Sequence, residues 1–532
     1  EIGSGLVGSE MCIRDRFCFI NNGVKIFAMG ANYIPEDQIV TRCNEEKTRK
    51  LLADCKAANY NFIRVWGGGY YPDEYFYDYC DENGIIVWQD FMFACSAYLL
   101  TEEFEETVRG EVRDNVIRLR NHPSLGLWCG NNEIESAWEY WGLPEDEEAK
   151  RDYLIIFEDI IPQVLKAYDP CENTFYWPSS PSSGGGFKDA SSNHAGDMHY
   201  WDVWHNFKPI EAFREFYYRF CSEYGFESLP DIKTCRAFAD ETKGDFDLCS
   251  PVMEAHQKCV QGNEKIMYYL AQMVRYPYDF KKLIYSSQLV QADCIRSNVE
   301  HMRRARGRCM GSAYWQVNDS NPVISWSSID YFGRWKGLHY YAKRFYAPCL
   351  ISCDDTHRKK PVLNISNERM TAFEGIVRWK LRNNKAEILQ SGEKSVGVPA
   401  LTAQNVLDID LSQELVSRTD PREKYLEYSI MENGKVLSFG TTLFVRPKEF
   451  TFLEPAITYG ILESEDKFAL TFCAENYAKS VCLSLKTADC VFSDNWFDIH
   501  GKEPVTIMID KASLSRKMTA QELSEELEIM HN

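Results

Sequence analysis

Two glutamates, each directly after an apolar stretch, are the residues of this sequence that could do chemistry together. Glu133 follows the run LWCGNN (127–132), and Glu223 follows the run RFCS (219–222). If both stretches are strands of one parallel sheet, their carboxyl ends meet at one edge and bring the two carboxylates together. Such a pair can cleave a glycosidic bond, because one carboxyl protonates the leaving oxygen while the other attacks the anomeric carbon. The pattern therefore predicts a retaining glycoside hydrolase site.

The elements that must position this pair form a strand–helix repeat over residues 17–346. Short apolar stretches alternate with amphipathic segments, which predicts a (β/α)8 TIM barrel whose strands are buried on both faces. The alternative is an open doubly wound sheet, which is disfavoured because no G-x-G-x-x-G motif follows the first strand. The eight predicted strands are Val24–Ala31, Phe62–Trp66, Ile85–Asp90, Leu125–Asn131, Thr174–Ser179, Asp197–Trp201, Tyr218–Glu223 and Ser312–Val317.

Three helices between these strands have clear start or stop signals. Asn44 and Thr101 are predicted N-caps, each followed by apolar residues at helical spacing. A third helix is predicted to begin at Pro72-Asp73 and to stop at Asn83-Gly84.

After residue 346 the periodicity changes from that of helices to that of strands. Val377, Trp379 and Leu381 alternate with charged residues, which is typical of a half-buried strand. Asn433-Gly434 lies between two such stretches and predicts a type I′ hairpin. We expect two immunoglobulin-like β-sandwich domains, 347–450 and 451–532, without a catalytic constellation.

Charge and composition exclude several classes of function. The formal net charge of −20 disfavours nucleic acid and anionic membrane as partners and fits a neutral substrate. No metal-binding motif is present, so we expect no metal and no cofactor. The 19 cysteines include no C-x-x-C pair, which favours a reduced, cytoplasmic setting over a disulfide framework. A secreted or lysosomal location stays open, as does assembly into a homo-oligomer.

The predicted strand ends resemble those of the β-mannosidases of glycoside hydrolase family 2. The resemblance implies an exo-acting retaining β-mannosidase that removes terminal non-reducing β-D-mannose from oligosaccharides by double displacement. The matching motifs are GANYIP (30–35), NFIRVWGGG (61–69), WQDFMFAC (88–95), GNNE (130–133), SEYG (222–225) and WQVND (315–319).

The resemblance also implies roles for individual residues. Glu133 would be the general acid/base and Glu223 the nucleophile, with Asn132 bonding the 2-hydroxyl of the substrate. Arg64 would hold Glu223 ionised, although a plain structural ion pair is the alternative reading. The remaining residues of the implied substrate site are Trp66 and Trp315 as walls, Trp201 as a weaker third wall, and Asp90 and His199 as hydroxyl-binding groups. A core histidine is the alternative for His199.

The sequence departs from this family at its beginning. Family members carry two β domains before the barrel, and residues 1–16 resemble translated sequencing adapter rather than either domain. We therefore expect a fragment that lacks part of the rim of its pocket and is a poor enzyme on its own. Another family 2 exo-β-glycosidase (a galactosidase, glucuronidase or glucosaminidase) and a non-catalytic carbohydrate-binding fragment remain the alternatives.

Overall fold

The computed structural model describes residues 17–142, 146–171 and 175–532. The chain divides into two compact units, one formed by residues up to Gly225 together with Ser297–Asn321, the other by Phe226–Arg296 together with Pro322–Asn532. Among the described residues, no helix is both long enough and apolar enough to cross a membrane. The prediction that residues 1–16 are foreign lies outside the described part of the chain.

The first unit is built around one sheet of eight parallel strands. Along the sheet the strands run in the order β7-β6-β5-β4-β3-β10-β9-β8, which is the cyclic order of a barrel. The end strands β7 and β8 are linked at Asp197, which accepts hydrogen bonds from Trp177 and Ser180. The strands of this unit are β1 (Phe19–Asn21), β2 (Val24–Ile26), β3 (Ala28–Tyr33), β4 (Phe62–Val65), β5 (Ile86–Asp90), β6 (Leu125–Cys129), β7 (Tyr176–Trp177), β8 (Met198–His199), β9 (Cys221–Glu223) and β10 (Gly311–Tyr314).

The eight barrel strands are confirmed, although each is shorter than predicted and the first was wrong in its bounds. Thr174, the predicted start of the fifth strand, lies outside the described residues. The stretch predicted as one strand from Val24 to Ala31 is interrupted at Phe27. Its first part pairs antiparallel with Phe19–Asn21 as a hairpin, and the barrel strand begins only at Ala28. Asn22 and Gly23, both with positive φ, form the hairpin turn that the prediction missed.

Large apolar side chains fill the interior of the barrel. Phe17 and Phe19 pack against barrel side chains such as Trp88 and Phe220. Because this interior is packed, polar chemistry is left to the carboxyl ends of the strands, where functional residues of such barrels lie. The other members of the cluster are Ala28, Phe62, Ile86, Leu127, Cys129, Trp177 and Ala313.

The predicted caps of the first unit are confirmed. Asn44 accepts a hydrogen bond from the backbone of Lys47, and Thr101 accepts one from Phe104. Gly84 ends the third predicted helix in the left-handed conformation. The helices are α1 (Glu45–Ala57), α2 (Glu74–Asn83), α3 (Glu102–Leu119), α4 (Ile134–Tyr140), α5 (Glu147–Leu154), a π-helical segment (Ile155–Ile160), α6 (Ile161–Tyr168), α7 (Asp202–His205) and the 3₁₀ turns Val40–Arg42 and Ile210–Glu215.

The second unit combines helices with antiparallel sheets. Its helices are α8 (Ile232–Cys235), α9 (Pro251–Ala255), α10 (Gly262–Met273), α11 (Phe280–Arg304, which begins in this unit), α12 (Gly337–Phe345), α13 (Asp420–Glu423) and α14 (Ala520–Glu526), with 3₁₀ turns at Glu241–Lys243, Pro447–Glu449 and Lys511–Ser513. Its strands are β11 (Cys349–Asp354), β12 (Val362–Asn367), β13 (Phe373–Asn383), β14 (Ile388–Val398), β15 (Thr402–Asp408), β16 (Lys424–Glu432), β17 (Lys435–Leu443), β18 (Thr458–Glu463), β19 (Lys467–Cys473), β20 (Tyr477–Leu485), β21 (Phe497–His500), β22 (Val505–Asp510) and β23 (Leu527–Met530).

These strands form two pairs of antiparallel sheets. The first pair is β11-β12-β15 with β14-β13-β16-β17, and the second is β18-β19-β22 with β21-β20-β23. Val377 and Leu381 are fully buried in the core of the first pair, as the alternation predicted. Asn433 and Gly434 both have positive φ between β16 and β17, which confirms the type I′ hairpin.

Candidate active site

Glu133 lies at the carboxyl end of the fourth barrel strand because of a tight turn after β6. Gly130 permits this turn, since a Cβ there would lie 2.3 Å from the carbonyl oxygen of Pro178. Asn131 then caps the following helix by accepting a hydrogen bond from the backbone N–H of Ile134 at 3.1 Å. Glu133 itself adopts a left-handed conformation with φ 62°, and its backbone N–H donates to the carbonyl of Ser180 at 2.8 Å.

Glu223 ends β9, the seventh strand of the barrel, and its carboxylate lies close to that of Glu133. One carboxylate oxygen from each of the two residues and a ring nitrogen of His199 all lie within 4.8 Å of one another. Retaining enzymes place their carboxyl groups about 5–5.5 Å apart, whereas inverting enzymes leave room for a water between them at about 6.5–9.5 Å. The observed spacing is therefore that of a retaining pair.

Arg64 at the end of the second barrel strand is the cation of the site. It is fully buried and donates to Oε1 of Glu223 at 2.8 Å and to Oδ2 of Asp90 at 2.8 Å. Burial lowers the pKa of the Arg64 guanidinium, but Asp90 and Glu223 outweigh it and leave the pKa well above its ordinary value. The same side chain donates to Oδ1 of Asn132 at 2.7 Å and to Oδ1 of Asn32 at 3.0 Å. One arginine thus fixes four neighbouring side chains.

Burial and neighbouring charges set the protonation of the two glutamates. Burial raises the pKa of Glu133 to about 7, with Arg64 opposing the shift from a distance. Burial also raises the pKa of Glu223 to about 7, where the nearby Glu133 adds to the effect and Arg64 opposes it. Because Arg64 bonds Glu223 directly, Glu223 is the better place for the negative charge, and the proton of the pair belongs on Glu133.

His199 ends β8, the sixth strand of the barrel, and lies between the two carboxylates. Its Nδ1 is 2.6 Å from Oε1 of Glu133 and 3.4 Å from Oε2 of Glu223. Burial lowers the pKa of His199 to about 4, although Glu223 opposes this. The ring is therefore neutral over the pH range in which the pair of glutamates shares one proton.

Of the three predicted tryptophans, Trp201 contacts a carboxylate, and Trp66 and Trp315 contact each other. Trp66 and Trp315 meet edge to face with ring centroids 5.0 Å apart, and both are half-buried. The indole N–H of Trp201 donates to Oε2 of Glu223 at 3.3 Å. The half-buried rings leave apolar faces on which the C–H face of a sugar could stack.

The structure brings seven of the nine predicted residues, all except Trp66 and Trp315, into one hydrogen-bonded cluster, and it gives Asp90 contacts other than the predicted ones. Asp90 is fully buried. Its oxygens accept hydrogen bonds from Arg64, from the indole of Trp88 and from the backbone of Gly67. This position supports Arg64 and leaves little of the carboxylate for a sugar hydroxyl.

Several residues of the site were not singled out from the sequence. Cys95 accepts a hydrogen bond from Nδ2 of Asn132 at 3.3 Å, and its sulfur lies 3.7 Å from Oε2 of Glu133. Ser180 and Asp197 contact His199 directly or through each other. In the sequence, only their position near the ends or beginnings of predicted barrel strands could have identified them, and many residues share that position.

The cluster of Glu133, His199 and Glu223 also has the residue types of a metal site. However, a cation close to Glu223 would compete with the guanidinium of Arg64, which lies 2.8 Å away. The donors already present therefore satisfy this carboxylate without an ion. The arrangement is that of two carboxylates joined through hydrogen bonds to Arg64 and His199.

Comparison with known proteins agrees with this fold. Residues 360–449 match the family described as a Mannosidase Ig/CBM-like domain, and residues 452–532 match the family described as an Ig-fold domain. The chain is 36% identical to beta-mannosidase B of Aspergillus fumigatus over 385 residues, which is 70% of this chain and 45% of that protein. It is 35% identical to the beta-mannosidase of Capra hircus over 358 residues, 63% of this chain and 40% of that protein.

Two solved structures are similar over almost the whole chain. The beta-D-mannosidase of Dictyoglomus thermophilum superimposes with a TM-score of 0.89 at 30% identity, covering 98% of this chain and 63% of that one. The exo-chitosanase CsxA of Amycolatopsis orientalis has a TM-score of 0.73 at 16% identity, covering 97% and 64%, and shares the fold alone.

Fold and comparisons together define a TIM barrel followed by immunoglobulin-like domains. In sequence and in structure the chain is similar to β-mannosidases. The chain spans about half the length of the curated relatives that it matches.

Proposed function

We propose that this chain carries the catalytic site of an exo-acting retaining β-mannosidase that removes terminal non-reducing β-D-mannose from oligosaccharides. The observation that carries the proposal is the approach of Glu133 and Glu223 to within 4.8 Å across the carboxyl ends of the barrel strands. At this distance no water fits between a sugar and the second carboxylate, so Glu223 attacks the anomeric carbon directly.

Each step of the reaction has a residue in place. Glu133 donates its proton to the leaving oxygen while Glu223, held by Arg64, forms the glycosyl–enzyme bond. Glu133 then takes a proton from the water that releases mannose. Asn132, whose Oδ1 is fixed by Arg64, offers its amide to the 2-hydroxyl, a contact that strengthens in the transition state.

The substrate pocket of this proposal is lined by aromatic rings. Trp66 and Trp315 form the apolar walls on which the mannosyl ring stacks, and Trp201 adds a third wall beside the nucleophile. We assign Asp90 to holding Arg64 rather than to binding a hydroxyl. No cofactor takes part in these steps.

A panel of p-nitrophenyl glycosides tests the proposal. We expect turnover of the β-mannoside, with β-mannose as the first-formed product by proton NMR and little turnover of the β-galactoside, β-glucuronide or β-glucosaminide. First release of α-mannose would contradict retention. Preference for another glycoside would favour a different family 2 exo-glycosidase, and binding of mannosides without turnover would identify a carbohydrate-binding fragment.

Domain organisation and cellular setting extend the proposal. We infer a catalytic barrel over 17–346 and β-sandwich domains over 347–450 and 451–532. None of the 18 described cysteines forms a disulfide bond, which supports a cytoplasmic location. Titration of 19 free thiols in denatured protein from its native source would fit this location, and a lower number would favour a secreted or lysosomal one.

Light scattering would distinguish a 61.7 kDa monomer from a homo-oligomer.

A further inference from the structure

A buried chain of polar side chains connects Glu133 to Asp197 through His199. Nδ1 of His199 lies 2.6 Å from Oε1 of Glu133, and its Nε2 lies 3.1 Å from Oγ of Ser180. Oγ of Ser180 lies 2.6 Å from Oδ2 of Asp197. Ser180 and Asp197 are both fully buried, so these groups have no solvent with which to exchange partners.

The direction of the hydrogen bonds around Asp197 can be deduced from its donors. Oδ1 accepts from the indole N–H of Trp177 at 2.8 Å and from the backbone N–H of Ser182 at 3.0 Å. Oδ2 accepts from the hydroxyls of Ser180 and Ser222. A carboxylate has no hydrogen to give, so each serine hydroxyl uses its proton on Asp197.

This direction fixes the tautomer of His199. Because the proton of Ser180 points at Asp197, the Ser180 oxygen can only accept from His199. The hydrogen of the neutral ring is therefore on Nε2, and Nδ1 carries a lone pair. At 2.6 Å from that lone pair, Glu133 must supply the hydrogen. Burial lowers the pKa of His199 to about 4 and raises the pKa of Glu133 to about 7, which favours the same arrangement.

The other charged and titratable groups around His199 leave this arrangement undisturbed. Oε2 of Glu223 lies 3.4 Å from Nδ1 and has no hydrogen to donate when ionised. Arg64 lies 3.5 Å from Nε2 but makes its shorter bonds to Asn32 and Glu223.

On the far side of Glu133, the thiol of Cys95 lies 3.7 Å from Oε2, and the side chain of Asn132 also hydrogen-bonds Glu133. Partial desolvation together with the Glu133 charge raises the pKa of Cys95 to about 12, so the thiol stays protonated.

We propose that Ser180 and Asp197 hold His199 in the Nε2–H tautomer, and that His199 in this form is the positioning residue that keeps the acid proton on Glu133. The inference rests on the proposed function of Glu133 as general acid/base. Once Glu133 has given its proton to the leaving oxygen, its carboxylate faces the lone pair of Nδ1. The repulsion between this carboxylate and the lone pair makes Glu133 a good base. In the second step Glu133 therefore takes a proton from the attacking water and is protonated again.

The alanine variant of Ser180 tests the proposal, with Ser222→Ala as the matched control. Without the Ser180 acceptor, the hydrogen of the ring is free to move to Nδ1 and to donate to the Glu133 carboxylate, which lowers the pKa of Glu133. The alkaline limb of the kcat/KM profile should then move down by roughly one pH unit in Ser180→Ala. Ser222 bonds Asp197 but not His199, so its variant should keep the wild-type limb.

Leaving-group dependence separates positioning of the proton from general damage to the site. We expect Ser180→Ala to lose roughly tenfold in kcat/KM on an alkyl β-mannoside at pH 8. It should retain its activity on 2,4-dinitrophenyl β-mannoside, whose leaving group needs no proton. Equal losses on both substrates, or equal movement of the limb in both serine variants, would overturn the proposal.

Neutron diffraction of the wild-type protein at pH 6 provides a measurement that needs no variant. Deuterium on Nε2 of His199 and on Glu133 would support the proposal, and deuterium on Nδ1 would overturn it. This result does not depend on turnover. If the wild-type protein cleaves no β-mannoside, the proposed function fails, while the neutron map still decides the tautomer.

Discussion

Glu133 and Glu223 are the same residue type at similar strand ends, and their different neighbours support the different tasks that we propose for them. Arg64 bonds Glu223 directly, while Glu133 faces the neutral ring of His199 and the thiol of Cys95. The cation favours an ionised nucleophile, and the neutral neighbours favour a protonated acid. The division of labour therefore follows from the second layer of side chains.

Azide rescue tests this division. Glu223→Ala should abolish turnover of every β-mannoside, and azide should restore it with α-mannosyl azide as product, because azide attacks from the side that the nucleophile has vacated. Glu133→Ala should slow substrates with poor leaving groups by on the order of 10²–10⁴, with β-mannosyl azide as product. NMR of the products identifies the anomers.

The exposed Glu103 of α3 provides the control for azide rescue, since Glu103→Ala should behave as wild type. The same anomer from both active-site variants would contradict the assigned roles.

Replacement of Arg64 by methionine tests its effect on the nucleophile. Arg64 opposes the burial and the Glu133 charge that raise the pKa of Glu223 to about 7. Without the guanidinium the pKa of Glu223 rises further, so a higher pH is needed to ionise it. We expect the acidic limb of kcat/KM to move to higher pH and kcat to fall by at least about 100-fold, since the carboxylate also loses its orientation. An unchanged acidic limb would show that Arg64 is only a structural ion pair.

At the scale of the elements, the barrel places each functional group at the carboxyl end of a strand, and turns and caps fix where each strand ends. Two glycines of the first unit show how this depends on backbone conformation. Gly84 ends α2 with φ 67°, whereas Gly110 lies inside α3 with open space around its Cβ position.

The same substitution at these two glycines should have opposite effects on stability. Gly84→Ala places a side chain in the left-handed region, which costs about 1 kcal/mol. Gly110→Ala removes backbone freedom from the unfolded chain and should stabilise α3 by about 0.5–1 kcal/mol. Thermal unfolding should show a lower Tm for Gly84→Ala and a higher Tm for Gly110→Ala. A change of the same sign in both variants would contradict the role given to Gly84.

At the scale of the whole molecule, the net charge of −20 sets the long-range field that a substrate meets. A neutral mannoside is unaffected by this field, whereas a substrate with an anionic aglycone is repelled. We expect kcat/KM of a neutral aryl β-mannoside to stay constant between low and physiological salt. The value for a carboxylated aryl β-mannoside should rise, because salt screens the repulsion. The reverse dependence would indicate a local basic patch near the pocket.

The sequence by itself determined the strand–helix repeat, the change to antiparallel strands after residue 346 and the two strand-end glutamates. These features are local, because apolar periodicity and turn residues such as Asn433-Gly434 specify them within a few positions. It could not place the break between the first hairpin and the barrel, since Val24–Ala31 is apolar throughout and the break depends on which partner each half pairs with.

Only the tertiary structure decided how the site residues act on one another. Asp90 was expected to bind a hydroxyl and lies beneath Arg64, while His199, Ser180 and Asp197 form a chain that no sequence spacing suggested. The physical reason is that hydrogen-bond direction and pKa depend on burial and on neighbours brought together from distant strands. Residue types limit what the chemistry can be, and their packing decides where the proton is held.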